Sequence, residues 1–355
     1  MSGVQAIRGG LNVHVELESA DTNVGTITSP VVFSGNLSTV NALFDPIAAG
    51  QTTLSLTQPA GFSTPSNGPQ QITVTVTAPD INLADTTVGR DLQDGQGVSL
   101  QSAPPAPVDV VLTIADDTIA TITANPAIEG GSTVTFPSVT GTFVGTLYIQ
   151  GRAEGSTTIT VQATGYNDRI ANVVVTPSGF EIATSSFSTT TFAANTNVTV
   201  RARRLATGTL AVSSVQAVRG GLTVEVELES SDTSVGTITS PVVFSGNQSV
   251  LNASFDPIGA GETTLTLTQP AGFSVPSNGP QQITATVTAP NITLNDTTVG
   301  RDLQDGQNIT LQSAPPAPVD VVVTVSSTAI ATISSDGTVE GGSTVTFPGV
   351  TSTFA

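Results

Sequence analysis

The sequence predicts an all-β protein built from tandem two-sheet sandwiches of about 100 residues each, joined by short proline-containing linkers. Three observations support this prediction. Apolar and polar residues alternate with a period of two, turn-forming residues recur at short intervals, and the chain repeats itself. No stretch shows the sustained periodicity of an amphipathic helix, so the class predicted is all-β rather than mixed.

The alternation is clearest between residues 222 and 229, where the sequence reads LTVEVELE. The four apolar residues fall on one face of an extended chain, and Thr and Glu fall on the other. Such a pattern is typical of antiparallel strands with one buried face. Turn signals such as SGN, SNGP and EGGS separate these stretches every 8–15 residues. Strands of this length and spacing predict two-sheet sandwiches.

An internal repeat sets the domain organisation. Residues 4–144 align without a gap with residues 215–355, at an offset of 211 residues and with about three-quarters of the positions identical. Weaker similarity within the repeat, between ESADTNVGTIT and TIADDTIATIT, divides it into two related units that we call type A and type B. Pro79, Pro177 and Pro290 mark the joints, because proline ends a strand ladder and stiffens the chain.

The predicted order is type A at 1–78 (N-terminally truncated), type B at 79–177, type A at 178–289 and type B at 290–355 (C-terminally truncated). Breaks inside a sandwich would leave strand edges unpaired. We therefore expect the sequence to be a window on a longer tandem array.

Composition excludes several function classes. The chain has 27 acidic residues, nine Arg, no Lys and no Cys, and its net charge is −18. A protein this acidic has no basic surface for nucleic acid, and no apolar run reaches the roughly 18 residues of a membrane helix. The one histidine, His14, has Glu225 as its counterpart in the second repeat. We therefore predict no catalytic residue, no enzyme activity and no cofactor.

The stretches VELESSDTSVGTI, GAGETTLTLTQPAGF and ITATVTAP resemble bacterial immunoglobulin-like (Big) domains. The pattern occurs in both unit types, so the resemblance covers essentially the whole chain. It implies immunoglobulin-like sandwiches and an extracellular place on a bacterial cell surface, with the signal and anchor outside this segment. It also implies a structural role in a stalk, fibre or filament. The alternative is an adhesin segment that binds a host, glycan or neighbouring-cell ligand. Long, aromatic loops that differ between copies would favour that alternative, but here the loops repeat closely.

An identical stretch, DTTVGRDLQDGQ, occurs at residues 85–96 and 296–307, shortly after a predicted joint. Calcium is bound by closely placed carboxylates and carbonyls, and the candidate ligands are Asp85, Asp91, Asp94, Asp296, Asp302 and Asp305. Their spacing fits neither an EF-hand nor a calcium β-roll. The favoured interpretation is a tight turn at LQDGQ, where Asp and Gly supply the turn chemistry.

Arg201, Arg203 and Arg204 contribute a third of the positive charge. One interpretation is a solvated strand edge that discourages pairing between sheets. The other is an interaction site for an acidic surface on a neighbouring domain or chain. The expected partners are other copies of the protein or adjoining repeats of a longer parent chain, without nucleic acid or membrane insertion.

Overall fold

The computed structural model describes residues 4–354, and all regular structure within them is β-strand. The 30 strands fall into four groups that follow one another along the chain. The second and third groups are complete two-sheet sandwiches, and the first and fourth contain fewer strands. We call these groups units one to four.

Unit two is a sandwich of five and four strands from its own residues. Its strands are β7 (Ile81–Asn82), β8 (Thr86–Gly89), β9 (Leu92–Leu100), β10 (Val108–Ile114), β11 (Ala120–Thr123), β12 (Thr133–Val139), β13 (Phe143–Gly151), β14 (Gly155–Ala163) and β15 (Arg169–Thr176). One sheet has the order β12-β10-β14-β15-β8, and the other has the order β11-β13-β9-β7. Strand β8 runs parallel to β15, and the remaining pairs are antiparallel.

This connectivity is immunoglobulin-like. The first long strand of the unit, β9, pairs with β13 although β10–β12 lie between them in the chain, which is a Greek-key connection. The N-terminal stretch crosses from one sheet to the other and ends as β8, parallel to the last strand. The core between the sheets is aliphatic, and Val98, Leu112, Leu147 and Ile159 are fully buried. Alternating residues of both sheets therefore supply the core, as expected for a sandwich.

Unit three repeats the topology with an insertion. Its strands are β16 (Ser178–Ile182), β17 (Phe187–Thr190), β18 (Thr196–Leu205), β19 (Val212–Val215), β20 (Ala217–Val218), β21 (Thr223–Ser230), β22 (Gly236–Ile238), β23 (Val242–Ser245), β24 (Val250–Pro257), β25 (Gly261–Thr268) and β26 (Gln282–Thr288). The sheets are β16-β18-β24-β22 and β17-β26-β25-β21-β23, with β17 parallel to β26. Strand β19 pairs with β18, while β20 leaves the unit and pairs with β9 of unit two.

Units one and four contain part of the same strand set. Unit one has β1 (Val13–Ser19), β2 (Gly25–Ile27), β3 (Val31–Phe33), β4 (Phe44–Pro46), β5 (Gly50–Thr57) and β6 (Gln71–Val76), the counterparts of β21–β26. Unit four has β27 (Ile292–Leu294), β28 (Ile309–Leu311), β29 (Val319–Thr324) and β30 (Thr344–Val350). Side chains that a full sandwich buries are exposed here: Ile72 is 55% exposed, whereas its counterpart Ile283 is 6% exposed.

The buried cores group units two and three together. A single apolar cluster runs from Ile81 to Val287 and includes residues of both units. A separate cluster around Val13 and Val15 belongs to unit one, and another around Ile309 and Val321 belongs to unit four. Among residues 4–354, the tightest association between units is therefore the one between units two and three.

One sequence interpretation is wrong. The tight turn expected at LQDGQ does not form there, because Leu92–Leu100 is a continuous strand in which Asp94 pairs with Ile149 and Gly95 with Tyr148. The turn lies earlier, at Arg90 and Asp91, where Asp91 has a φ of 59°. Aspartate is among the few residues that adopt this left-handed conformation readily. Gly95 instead leaves room for the Tyr148 ring.

Candidate functional site at the junction of units two and three

A turn of unit two forms one half of the junction. Arg90 and Asp91 connect β8 to β9, and their backbone amides donate to the carbonyls of Thr176 (2.8 Å) and Gly151 (3.0 Å). These bonds fix the turn to the end of β15 and to β13. The left-handed φ of Asp91 then turns the chain from one sheet of the sandwich to the other.

A loop of unit three, residues 216–221, forms the other half. Its strand β20 extends the β9 sheet of unit two, with Ala217 opposite Gln93 and Val218 opposite Leu92. Val218 and Leu92 are both fully buried. A sheet of one unit thus continues into the next, so main-chain pairing as well as side-chain contact joins them.

Arg219 is the charged centre of the junction. Its backbone amide donates to the carbonyl of Asp91 (3.0 Å), and its Nε donates to Oδ1 of the same residue (3.1 Å). Its Nη1 lies 3.5 Å from Oε1 of Glu129, which also accepts from Nη1 of Arg152 (2.7 Å). The Arg219 side chain is only 14% exposed and that of Asp91 23%. A charge pair with so little contact with water is screened less by salt than a surface pair.

Three buried amides complete the junction. Gln216 donates to the carbonyl of Thr87 (3.0 Å) and accepts from the amide of Gly89 (2.8 Å). Gln93 accepts from the amide of Gly220 (2.9 Å) and from Gln150 (3.0 Å). All three glutamines are at most 6% exposed. Because an unsatisfied buried amide is costly, this network favours one relative position of the two units.

Glycine allows the close approach of the two units. A Cβ at Gly220 would overlap the carbonyl oxygen of Ile128, and one at Gly221 would lie 2.8 Å from Cβ of Glu129. Gly221 also has a φ of 76°. Backbone therefore packs directly on backbone, at a distance that other residues do not permit. The covalent link beside this contact is a single residue, Pro177, between the ends of β15 and β16.

The other two links differ from this junction. Residues 77–80 connect units one and two. There the side-chain amide of Asn167 of unit two donates to the carbonyl of Ala78 and to Oδ1 of Asp80. Those bonds hold the link itself, not unit one. Residues 289–291 connect units three and four beside a cleft lined by Phe192, Ile292 and Leu311. No shared core crosses either link in residues 4–354.

The predicted calcium ligands of unit two have separate partners. Asp85 accepts from the side chain and backbone of Asn172 and pairs with Arg169 (3.2 Å), and these contacts hold its pKa below the usual value of 3.8. Asp94 accepts from Thr86 and Gln96, and Asp91 pairs with Arg219. Within the described residues, no three His, Asp or Glu side chains gather in a way that could hold one ion.

The predicted calcium ligands of unit four also lie apart from one another. Asp305 accepts from Thr297 and Gln307, both at 2.6 Å, and these bonds lower its pKa from 3.8. Asp302 has the same φ of 59° as Asp91, but it is 90% exposed and lies 3.6 Å from its neighbour Arg301. Asp296 is exposed. The structure therefore brings neither set of aspartates together around one point.

The predicted arginine cluster lies inside a sheet rather than at its edge. Strand β18 is paired with β16 on one side and with β24 and then β19 on the other, so the interpretation as a strand edge is wrong. Arg203 Nε lies 3.2 Å from Oε1 of the buried Glu181, an ion pair that is not aligned as a hydrogen bond. Arg204 donates to Ser213 and Ser214. Of the three, Arg201 is the exposed one.

Sequence reasoning missed the role of the RGG triplet, which occurs at Arg8 and at Arg219. In the junction the triplet meets the DTTVGRDLQDGQ stretch through Arg219 and Asp91, which lie 128 residues apart in the chain. The sequence does contain one indication of a shared role, because the RGG triplet and the DTTVGRDLQDGQ stretch both recur unchanged at an offset of 211 residues. Contact between them could not be inferred from one sequence, because pairing between distant segments leaves no local pattern.

Comparisons with known proteins found similar solved structures at low TM-scores. No family model and no curated protein matches the chain. Among solved structures, it is similar to the Yersinia pseudotuberculosis adhesin InvE (16% identity, 62% of each chain, TM-score 0.24). It is also similar to Salmonella alpha-2-macroglobulin reacted with methylamine (13% identity, 93% of this chain and 24% of that one, TM-score 0.21). A third is the teleost fish polymeric Ig receptor ectodomain (13% identity, 60% and 99%, TM-score 0.23).

The chain thus spans about a quarter of the Salmonella protein and 62% of the Yersinia adhesin. At these TM-scores, the strand connectivity rather than the comparison defines the class. The protein is a series of immunoglobulin-like β-sandwich units with a buried junction between two of them. Within residues 4–354, there is no helix that could cross a membrane.

Proposed function

We propose that this chain is a structural repeat region of an extracellular bacterial surface protein of the Big-domain type, acting as a stalk or fibre. The observation that carries the proposal is the buried junction between units two and three. A binding module needs accessible groups that contact a ligand. Here the polar atoms of Arg219, Gln93 and Gln216 instead form hydrogen bonds that hold one unit to the next. Such contacts give a spacer a defined geometry.

Composition supports the same role. The surface is acidic, with a net charge of −18, and contains no Cys that could oxidise outside the cell. Loops of the two repeats are nearly identical in sequence, as expected if they serve a repeated architectural purpose rather than a specific ligand. In this proposal the chain's own main-chain pairing and side chains hold the junction, because Asp85, Asp91 and Asp94 each accept hydrogen bonds from donors of the chain itself.

The test is a comparison of distance distributions across two joints. The absence of native Cys allows spin labels at chosen exposed sites. Thr113→Cys with Glu262→Cys reports on the junction of units two and three, and Gln51→Cys with Thr113→Cys reports on the link of units one and two. We expect a narrow distribution for the first pair and a broader one for the second, since a shared core restrains only the first.

A variant connects the result to the site. Arg219→Ala with Gln216→Ala removes the ion pair and the amide bonds to Thr87 and Gly89, and should broaden only the first distribution. Equal widths for the two joints in the unaltered chain would contradict the proposed role as a spacer with fixed geometry. Binding of this chain to immobilised glycans or host proteins would favour the adhesin alternative instead.

A further inference from the structure

Each half of the junction occurs a second time, and within residues 4–354 no other unit packs on it. The counterpart of loop 216–221 is residues 5–10 of unit one, and the counterpart of the Arg90–Asp91 turn is Arg301–Asp302 of unit four. Gln5 and Arg8 are exposed, whereas Gln216 and Arg219 are covered by unit two. Leu303 is 74% exposed, whereas Leu92 is fully buried.

The free loop already has the docked conformation. Ile7 donates to the carbonyl of Leu37 and accepts from Asn36, as Val218 does with Gln248 and Asn247. Gly10 has a φ of 80° and Gly221 a φ of 76°. The amides of Leu11 and Leu222 each donate, at 3.2 Å, to the carbonyl of the junction arginine three residues earlier. Docking would therefore require little rearrangement of this loop, which lowers its entropic cost.

The free turn has the matching features. Asp302 and Asp91 share a φ of 59°. The space that a Cβ would occupy at Gly300 is filled by Leu303, as Leu92 fills it at Gly89. The nearby loop that carries Glu340, the counterpart of Glu129, is closed by paired bonds between Ile333 and Gly342 at 3.0 Å. Both acidic partners of the junction arginine are thus present in unit four.

We propose that loop 5–10 of one copy of this chain binds the Asp302 turn of a second copy and repeats the internal junction between molecules. Arg8 pairs with Asp302 and Glu340, and Gly9 packs against the backbone of Val339. Ile7 pairs with Leu303 through the main chain, as Val218 pairs with Leu92 in the internal junction. The surfaces that meet are different, so the contact is head-to-tail and adds copies one after another, as a linear assembly or a ring. This deepens the proposed structural role by naming the partner.

The intermolecular contact should be weaker than the internal one. The strand that follows the turn is short, since β28 covers only Ile309–Leu311. Association should therefore depend on protein concentration and weaken as salt rises, because its ion pair forms between exposed groups.

The test uses two variants of the full chain in analytical ultracentrifugation. Arg8→Glu blocks the loop and leaves the turn intact. Asp302→Asn with Glu340→Gln blocks the turn without creating a charge that could pair with Glu at position 8, and Asn tolerates the left-handed conformation at residue 302. The unaltered chain should form a concentration-dependent series of oligomers, and each variant alone should associate at least about tenfold more weakly. An equal mixture should form a dimer and nothing larger, because each variant retains one complementary surface.

Two further variants separate this contact from other associations. Gly9→Ala adds only a methyl group and should weaken assembly as Arg8→Glu does, because its counterpart Gly220 leaves no room for one. Arg201→Glu makes the same charge change on the exposed face of β18 and should have no effect. A chain that stays monomeric at several hundred micromolar, or oligomers unchanged by Arg8→Glu, would overturn the proposal. Oligomers unchanged by Arg8→Glu would indicate strand exchange through the incomplete sheets instead. Neither result bears on the label distances across the internal junction, so the spacer role is tested separately.

Discussion

At the residue level, the chain contains its own controls, because the repeat places the same residue in two surroundings. Gly220 lies against the carbonyl of Ile128, whereas nothing lies within 4 Å of the space that a Cβ would occupy at Gly9. Arg219 is nearly covered and Arg8 is exposed. Differences between such pairs report on the junction rather than on intrinsic properties of the residue.

Gly220→Ala should separate units two and three without unfolding either sandwich. The added methyl group overlaps the backbone of Ile128 in the loop between β11 and β12, and relieving such overpacking costs about 1 to 3 kcal/mol. Hydrogen exchange of residues 216–221 and 88–93 is the measurement, and we expect faster exchange in both. Gly9→Ala is the matched control and should leave exchange of residues 216–221 unaltered. Unchanged exchange in Gly220→Ala would mean that the approach of the two loops is not tight.

Asp85 should contribute to loss of stability in acid. The hydrogen bonds from Asn172 and the charge of Arg169 hold its pKa below 3.8 in the folded protein. The folded state therefore favours the carboxylate, and this contribution is present above pH 3.8 and disappears as the pH falls through the lowered folded pKa. In Asp85→Asn, the thermal midpoint should fall less steeply on acidification than in the unaltered chain. An identical acid limb in the two proteins would rule out a role for this carboxylate.

At the level of elements, most strands could be predicted from the sequence and their partners could not. The alternation in LTVEVELE predicts β21 and its buried face correctly, because burial of one face of a strand gives the local sequence a period of two. The turn at LQDGQ was misplaced, because Asp94 and Gly95 are turn formers that here serve a side-chain bond and a tyrosine ring. The pairing of β20 with β9 depends on contact between units and has no local signal.

The contribution of a complete strand set to stability can be measured by substituting the same isoleucine in two units. Ile283 on β26 is buried between the two sheets of unit three, while its counterpart Ile72 on β6 is largely exposed. Ile283→Ala should destabilise unit three by about 2 to 5 kcal/mol, and Ile72→Ala should have a much smaller effect. Hydrogen exchange resolved by unit is the suitable measurement, because a chain of several units does not unfold in one step. Comparable losses would imply that unit one buries Ile72 in solution.

At the level of the whole molecule, the packing marks a boundary that the sequence repeat leaves open. The repeat of 211 residues contains one type A and one type B unit, and either order describes it equally well. The shared core joins type B to the type A unit that follows it, across Pro177. A repeat in the sequence therefore reveals the period of an array but not the boundary of its rigid body, which is set by contacts between neighbouring units.

The junction of units two and three has two attachment points. One is the covalent link at Pro177, and the other is loop 216–221, which returns to unit two after the chain has formed β16–β19. A body attached at one point can rotate about it, whereas a body attached at two separate points cannot rotate freely. The two units are thus coupled against twisting as well as bending. In a long array of such pairs, torque applied at one end would be transmitted through each pair, and rotation would take place at the single-point links.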